Sequence, residues 1–353
     1  MTNMGIQELL ELAIERRASD LHLIANTYPT IRIDGQLYQL TTLPLLTREL
    51  SENIIFSFLT EEQKENLLAN KEIDMGYEYK DTRFRINAYH TKGAWSAAFR
   101  LIPTKILTVE QLALPSAFHQ LVDYNQGLVL VTGPTGEGKS TTLAAVINEI
   151  NLKYSKHIIT IEDPIEFIYP PGKSVISQRE LHQDTHSWNI ALRSALREDP
   201  DVVLVGEMRD YESAQLVLTI AETGHLVFST LHTSSSPETV NRIIDMFPAH
   251  QQNQIKTQLA GTLRAIISQR LLPRADARGR IVALELLYNN SAVASIIRDG
   301  KPFLLENVLQ TSEQEGFIYF ERYLSQLVEG GRITKETAFS YAIRPKELEK
   351  YLK

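Results

Sequence analysis

Apolar positions along the chain change period twice. Over residues 5–17, Ile6, Leu9, Leu10, Ala13 and Ile14 fall on one stripe, the spacing of an amphipathic helix. Residues 21–24 and 30–33 then alternate like strands, and Asp34-Gly35 supplies a tight turn into 36–40. A helical stretch covers roughly 47–69, and strands follow near 74–79 and 83–89. Lys92-Gly93 then turns the chain into 95–101. Residues 1–102 therefore read as a small α+β domain of antiparallel strands and flanking helices, and residues 103–125 as a linker with one or two short helices.

From Gly127 strands alternate with helices, which predicts an α/β domain with a mostly parallel sheet over 126–353. The strands fall at 127–132, 157–161, 201–205 and 226–231. From about residue 237 the spacing turns helical, through 240–246, 251–267 and 292–297, so the end of the chain reads as a helical subdomain.

The run Gly133-Pro134-Thr135-Gly136-Glu137-Gly138-Lys139-Ser140 fits G-x-x-x-x-G-K-[ST]. It follows the apolar strand 127–132 and precedes Thr141 and a run of good helix formers. Strand, glycine loop and helix are the arrangement that lets backbone N–H groups and a helix N-terminus converge on one anion. Lys139 is expected to reach the terminal phosphates of a nucleoside triphosphate, and the Ser140 hydroxyl to hold Mg²⁺.

Two other apolar runs end in acids. Residues 201–205 lead into Gly206-Glu207, which places Glu207 to polarise an attacking water. Residues 157–161 lead into Glu162-Asp163-Pro164, where the proline ends the strand as the carboxylates begin; Glu162 is expected to assist at the metal. His225 and His232 bracket a further strand. They lie seven positions apart on an extended run, too far to share a metal. His232 is the better placed to sense a γ-phosphate, while satisfaction by backbone remains the competing reading for both. Arg83, Arg85 and Arg100 on N-terminal strands are candidates to stabilise charge on the transferred phosphoryl group, with surface ion pairing as the alternative.

Composition narrows the classes. The 353 residues include no cysteine, which excludes disulfides and thiolate zinc sites. The N-terminus has no signal-peptide pattern, and no apolar stretch approaches the roughly 20 residues that span a bilayer. Direct membrane insertion is not expected. The net charge is −7, from 36 basic and 43 acidic residues, without a basic stripe interleaved with aromatics, so a nucleic-acid partner is unlikely.

Together the runs 133–142, 159–166, 192–201, 206–210 and 223–233 resemble the secretion-superfamily ATPases, and within them the PilT-like type IV pilus retraction ATPases. Ala18-Ser19-Asp20-Leu21-His22 and Arg83-Phe84-Arg85-Ile86-Asn87 extend the resemblance into the N-terminal domain, so it covers nearly the whole chain. The resemblance implies a homohexameric, RecA-like motor with a PAS-like N-terminal domain and ATP bound between the two domains. It further implies a cytoplasmic location, peripheral to the membrane through an inner-membrane pilus platform protein. Lys139, Ser140 and Thr141 then hold phosphate and Mg²⁺, Glu207 is the catalytic acid, Glu162 belongs to the acid box, and His225 and His232 form the histidine box. Arg83, Arg85 and Arg100 are the arginines supplied between domains or subunits.

Two positions depart from the family pattern. Glu137 stands where the family usually has Ser; its side chain is expected to point away from the phosphates, with its charge weakening ATP binding. Residues 292–301 resemble the retraction-associated helix but carry Ala294 and Ser295 in place of its first Arg and its Asn. The absence of a four-cysteine insert and of a longer N-terminal region favours the retraction branch over assembly ATPases. An accessory ATPase acting with another motor and a RecA-like nucleic-acid translocase are the alternative readings.

Overall fold

The computed structural model describes residues 4–33, 35–80, 82–102 and 105–352. The chain divides into two compact units. The first runs to Lys105 and takes in Pro164–Ile168, and the second comprises the remainder.

In the first unit, α1 (Ile6–Glu15) buries the predicted stripe of Ile6, Leu9, Leu10 and Ala13. The strands are β1 (Asp20–Leu23), β2 (Thr30–Ile33), β3 (Gln36–Gln39), β4 (Glu72–Tyr79), β5 (Thr82–Thr91) and β6 (Ala94–Ile102). They form an antiparallel sheet in the order β3-β2-β1-β6-β5-β4. Lys92 (φ +48°) and Gly93 (φ +76°) make the β5–β6 turn, two successive left-handed residues that match the twist of a hairpin. Of the turn predicted at 34–35, Asp34 lies outside the described residues. The stretch 47–69 is two helices rather than one, α2 (Arg48–Phe56) and α3 (Glu61–Asn70). Thr60 divides them: its hydroxyl accepts the Gln63 N–H and the Gln63 side chain returns to the Thr60 N–H, a capping box that starts a new helix.

The second unit is a seven-stranded sheet. Its strands are β7 (Gly127–Thr132), β8 (His157–Glu162), β9 (Val175–Glu180), β10 (Val202–Val205), β11 (Leu226–Leu231), β12 (Leu263–Pro273) and β13 (Arg280–Tyr288). The order is β13-β12-β7-β11-β10-β8-β9, parallel except for the β12–β13 pair. The helices that bear on the site are α4 (Lys139–Lys153), α5 (Trp188–Ala195), α6 (Tyr211–Glu222), α7 (Ser236–Asp245) and α8 (Gln252–Thr262). β7, β10 and β11 are buried along their whole length. Leu128, Leu130, Val203 and Val227 pack on one face with α5, α6, α7 and α8, while Val129, Val131, Leu204 and Phe228 pack on the other with α4. Covering both faces is what makes these strands continuous apolar runs rather than alternating ones.

The stretch read as wholly helical from about residue 237 contains β12 and β13. The predicted helix 251–267 stops at Thr262, and the next residue already begins β12. No turn residue separates the two, Gly261 lies inside the helix, and Leu, Ala, Arg and Gln suit either state. The periodicity of a strand buried on both faces does not distinguish it from a buried helix. Beyond the hairpin the chain is helical, through α9 (Ser291–Arg298), α10 (Leu305–Thr311), α11 (Phe320–Glu329), α12 (Lys335–Tyr341) and α13 (Pro345–Tyr351).

Candidate active site

Parallel order places the C-terminal ends of β7, β11, β10 and β8 side by side, the edge at which open α/β sheets bind ligands. At this edge β7 leads into the glycine loop and the loop into α4. Gly133 (φ +144°), Gly136 (φ +82°) and Gly138 (φ +80°) take backbone angles that L side chains avoid. At Gly133 space also forbids a side chain, because an added Cβ would lie 2.5 Å from the Gln269 carbonyl oxygen. Pro134, Thr135 and Glu137 fill the remaining loop positions. Lys139 is buried, and its ammonium donates to the carbonyls of Gly133 (2.8 Å) and Pro134 (3.0 Å), folding the loop around the cation. Ser140 and Thr141 stand on the first turn of α4, which has fifteen residues and Gly138 at its N-cap. These groups fit a polyphosphate with its divalent cation: left-handed glycines, an enclosed ammonium, and a hydroxyl at a helix start.

Glu207 follows β10 by two residues. Its backbone is fixed by Gly206 N–H donating to the Ile161 carbonyl (2.9 Å), Met208 N–H to the Thr230 carbonyl (3.1 Å), and Thr230 Oγ1 to the Gly206 carbonyl (2.6 Å). The carboxylate meets Arg209 Nε through one oxygen and His232 Nε2 through the other, the latter at 3.1 Å. Arg209 also reaches Asp163 at 3.2 Å. His232 sits just past β11, with Nδ1 3.5 Å from Thr135 Oγ1. Partial burial, then the cations of Lys139 and Arg209, hold its pKa below the ordinary imidazole range. At neutral pH the imidazole is therefore uncharged, donating from Nε2 to Glu207 and turning Nδ1 to the loop. Glu162 ends β8, buried, with Gln178 Nε2 at 3.5 Å. The loop, Glu162, Glu207 and His232 thus occupy one edge of one sheet, the geometry of a nucleoside-triphosphate hydrolase site.

The family model for type II/IV secretion system proteins matches residues 2–340. The chain belongs to that family. A twitching motility protein of Neisseria gonorrhoeae is 47% identical over 335 residues, 95% of this chain and 89% of the relative. The type IV pilus retraction ATPase PilT of Pseudomonas aeruginosa is 43% identical over 336 residues, 95% of this chain and 97% of the relative. A crystal structure of the pilus retraction motor PilT with bound ADP superposes with a TM-score of 0.92, covering 98% of this chain and 99% of that one at 43% identity. The resemblance read from the motifs, to secretion ATPases and to their retraction branch, is borne out by these matches.

Not every expected residue of this secretion-family chain reaches the edge. His225 precedes β11, about 20 Å from His232 at the rise of an extended strand. Its Nδ1 lies 3.1 Å from the Ile220 carbonyl and 3.1 Å from Thr223 Oγ1, so it closes the turn after α6. The structure does not bring it to the cluster. The three arginines lie on the first unit's sheet. Arg85 pairs with Asp74 at 2.6 Å, the surface pairing weighed against a functional role, and Arg100 reaches the buried Asp20 at 3.1 Å. Arg83 stands opposite Glu78 on β4 and Ile102 on β6.

Sequence reasoning passed over Arg209, although the run Gly206–Asp210 contains it, and Asp210 proves to be the N-cap of α6. It also missed Gln269, Leu271 and Arg280 on the β12–β13 hairpin. Gln269 Nε2 donates to the Glu137 carbonyl at 2.6 Å, Arg280 Nη1 to the Gly136 carbonyl at 3.3 Å, and the Leu271 N–H to the Glu137 carboxylate. The Glu137 carboxylate turns to β12. What it turns toward was not legible.

Proposed function

We propose that this chain is an ATP-hydrolysing motor of type IV pilus retraction, working as a homohexamer on an inner-membrane platform protein at the cytoplasmic face of the membrane. The supporting observation is the convergence of the glycine loop, Glu207 and His232 on one sheet edge, in a chain 43% identical to a retraction ATPase over nearly its whole length. Lys139 and the loop N–H groups bind and orient the phosphates. Ser140 would hold Mg²⁺, with Glu162 assisting; the metal's contribution is to neutralise charge on the phosphoryl oxygens. Glu207 takes the proton of the attacking water once a carboxylate oxygen is released from Arg209 or His232, and His232 links that event to Thr135 in the loop. Arg83, Arg85 and Arg100 are proposed to serve between domains or subunits, and no α-helix among the described residues is long and apolar enough to cross a membrane.

Deletion of the gene in its host tests the reading. The expected outcome is cells with as many or more surface fibres that no longer shorten. Cells with no fibres would assign the chain to assembly, and unchanged shortening would overturn a motor role.

A further inference from the structure

Glu137 stands where strand pairing stops. β7 accompanies β12 only as far as Thr132 opposite Ser268, where their hydroxyls meet at 2.9 Å; at Gly133 the chain leaves the sheet. β12 continues to Pro273, paired with β13 alone. The Arg264 carbonyl accepts from the Asn289 N–H on the β13 side (2.9 Å), so alternation turns the backbone groups of Gln269 and Leu271 the other way. That side of β12 is an unpaired edge, and its half-buried Leu271 N–H requires an acceptor. The Glu137 carboxylate supplies it, while the Gln269 side chain returns a bond to the carbonyl of the same residue. Two bonds, both donated by β12 and both accepted by Glu137, fasten one loop residue to one strand, flanked by glycines with no conformational preference of their own.

We propose that Glu137 is a positioning residue whose carboxylate replaces the missing strand partner of β12 and thereby holds the glycine loop in its nucleotide-receiving shape. It strengthens nucleotide binding, opposite in sign to the effect expected from its charge alone. The proposal rests on the nucleotide-binding part of the function proposed above. A glutamine keeps an acceptor oxygen without the charge, whereas alanine and serine remove the reach.

The test is calorimetric ADP binding by the full-length wild type, E137Q, E137A and E137S, with hydrogen exchange at the Leu271 amide and steady-state KM and kcat alongside. E137A and E137S are expected to bind ADP about tenfold more weakly and E137Q within about threefold of wild type, the size of one charge-assisted bond. KM for ATP rises with kcat nearly unchanged, and the Leu271 amide exchanges faster in E137A and E137S than in E137Q. The proposal is overturned if E137A and E137S bind as tightly as wild type or tighter, or if E137Q loses as much as they do. Wild type that fails to bind ADP would defeat the nucleotide reading instead, with the exchange comparison still deciding the tether.

Discussion

The glycine loop is held from two sides by different kinds of group. On one side Arg209 and His232 both meet Glu207 just past the strand ends, with Glu162 on the adjoining strand β8. On the other side the β12–β13 hairpin meets the loop through two backbone groups, the Gln269 carbonyl against Gly133 and the Leu271 N–H on Glu137, and through the Gln269 and Arg280 side chains, which reach loop carbonyls. Groups on the first flank change state when a proton or a phosphate arrives. Backbone amides on the second do not titrate and are fixed by the ladder that carries them. One flank is suited to chemistry and the other to keeping the loop's shape, so damage to each should be read out in different constants.

The largest expected effect lies on the chemical flank. Glu207→Gln should leave ADP affinity as it is and lower kcat by about 10²–10⁴, the range for losing a general base. Wild-type turnover in that variant would move the base elsewhere, and the comparison would lose its first half. His232→Asn is expected to lower kcat about tenfold, less than the roughly 10²–10⁴ for loss of the base itself, because the base remains. The pH profile sharpens this one: because the imidazole pKa is held below its usual range, wild-type kcat should persist to mildly acid pH and fall only as His232 gains a proton. A profile of His232→Asn with the same acid limb would assign the limb to another group. Smallest is the supporting flank. Gln269→Ala removes one bond to the loop, worth a net ~1 kcal/mol, or about fivefold in ADP affinity, with kcat little changed. A kcat loss larger than the affinity loss, measured by stopped-flow turnover beside calorimetry, would erase the distinction between the flanks.

The same difference decides what could be read from the chain. Glu162 and Glu207 each follow a strand whose both faces are covered, so an apolar run ending in a carboxylate announced them. His232 was marked by the end of its run, but the same signal promoted His225, because a residue pattern marks both ends of a strand and only sheet order says which end bears the loop. The hairpin had no such mark. Its contacts with the loop include a carbonyl and an amide that every residue type possesses, and its first strand begins where a helix ends without punctuation. Glu137 shows the limit most directly. Its partner lies 134 positions away, on a strand within the stretch that was read as a helical subdomain. The antiparallel unit was more legible, since β1 to β6 are joined by turns with glycine or change period cleanly; the cap at Thr60 and the membership of Pro164–Ile168 were missed.

The direct junction of α8 and β12 has a mechanical consequence. Thr262 is helical and Leu263 is already paired with Leu128, so a register shift at Arg264 is the one irregularity between helix and ladder. No loop intervenes, and the strand that begins at the helix end runs along β7 and carries Gln269 and Leu271 to the glycine loop. A displacement of α8 therefore has a single bulged residue, and no connecting loop, between it and the strand that touches the glycine loop.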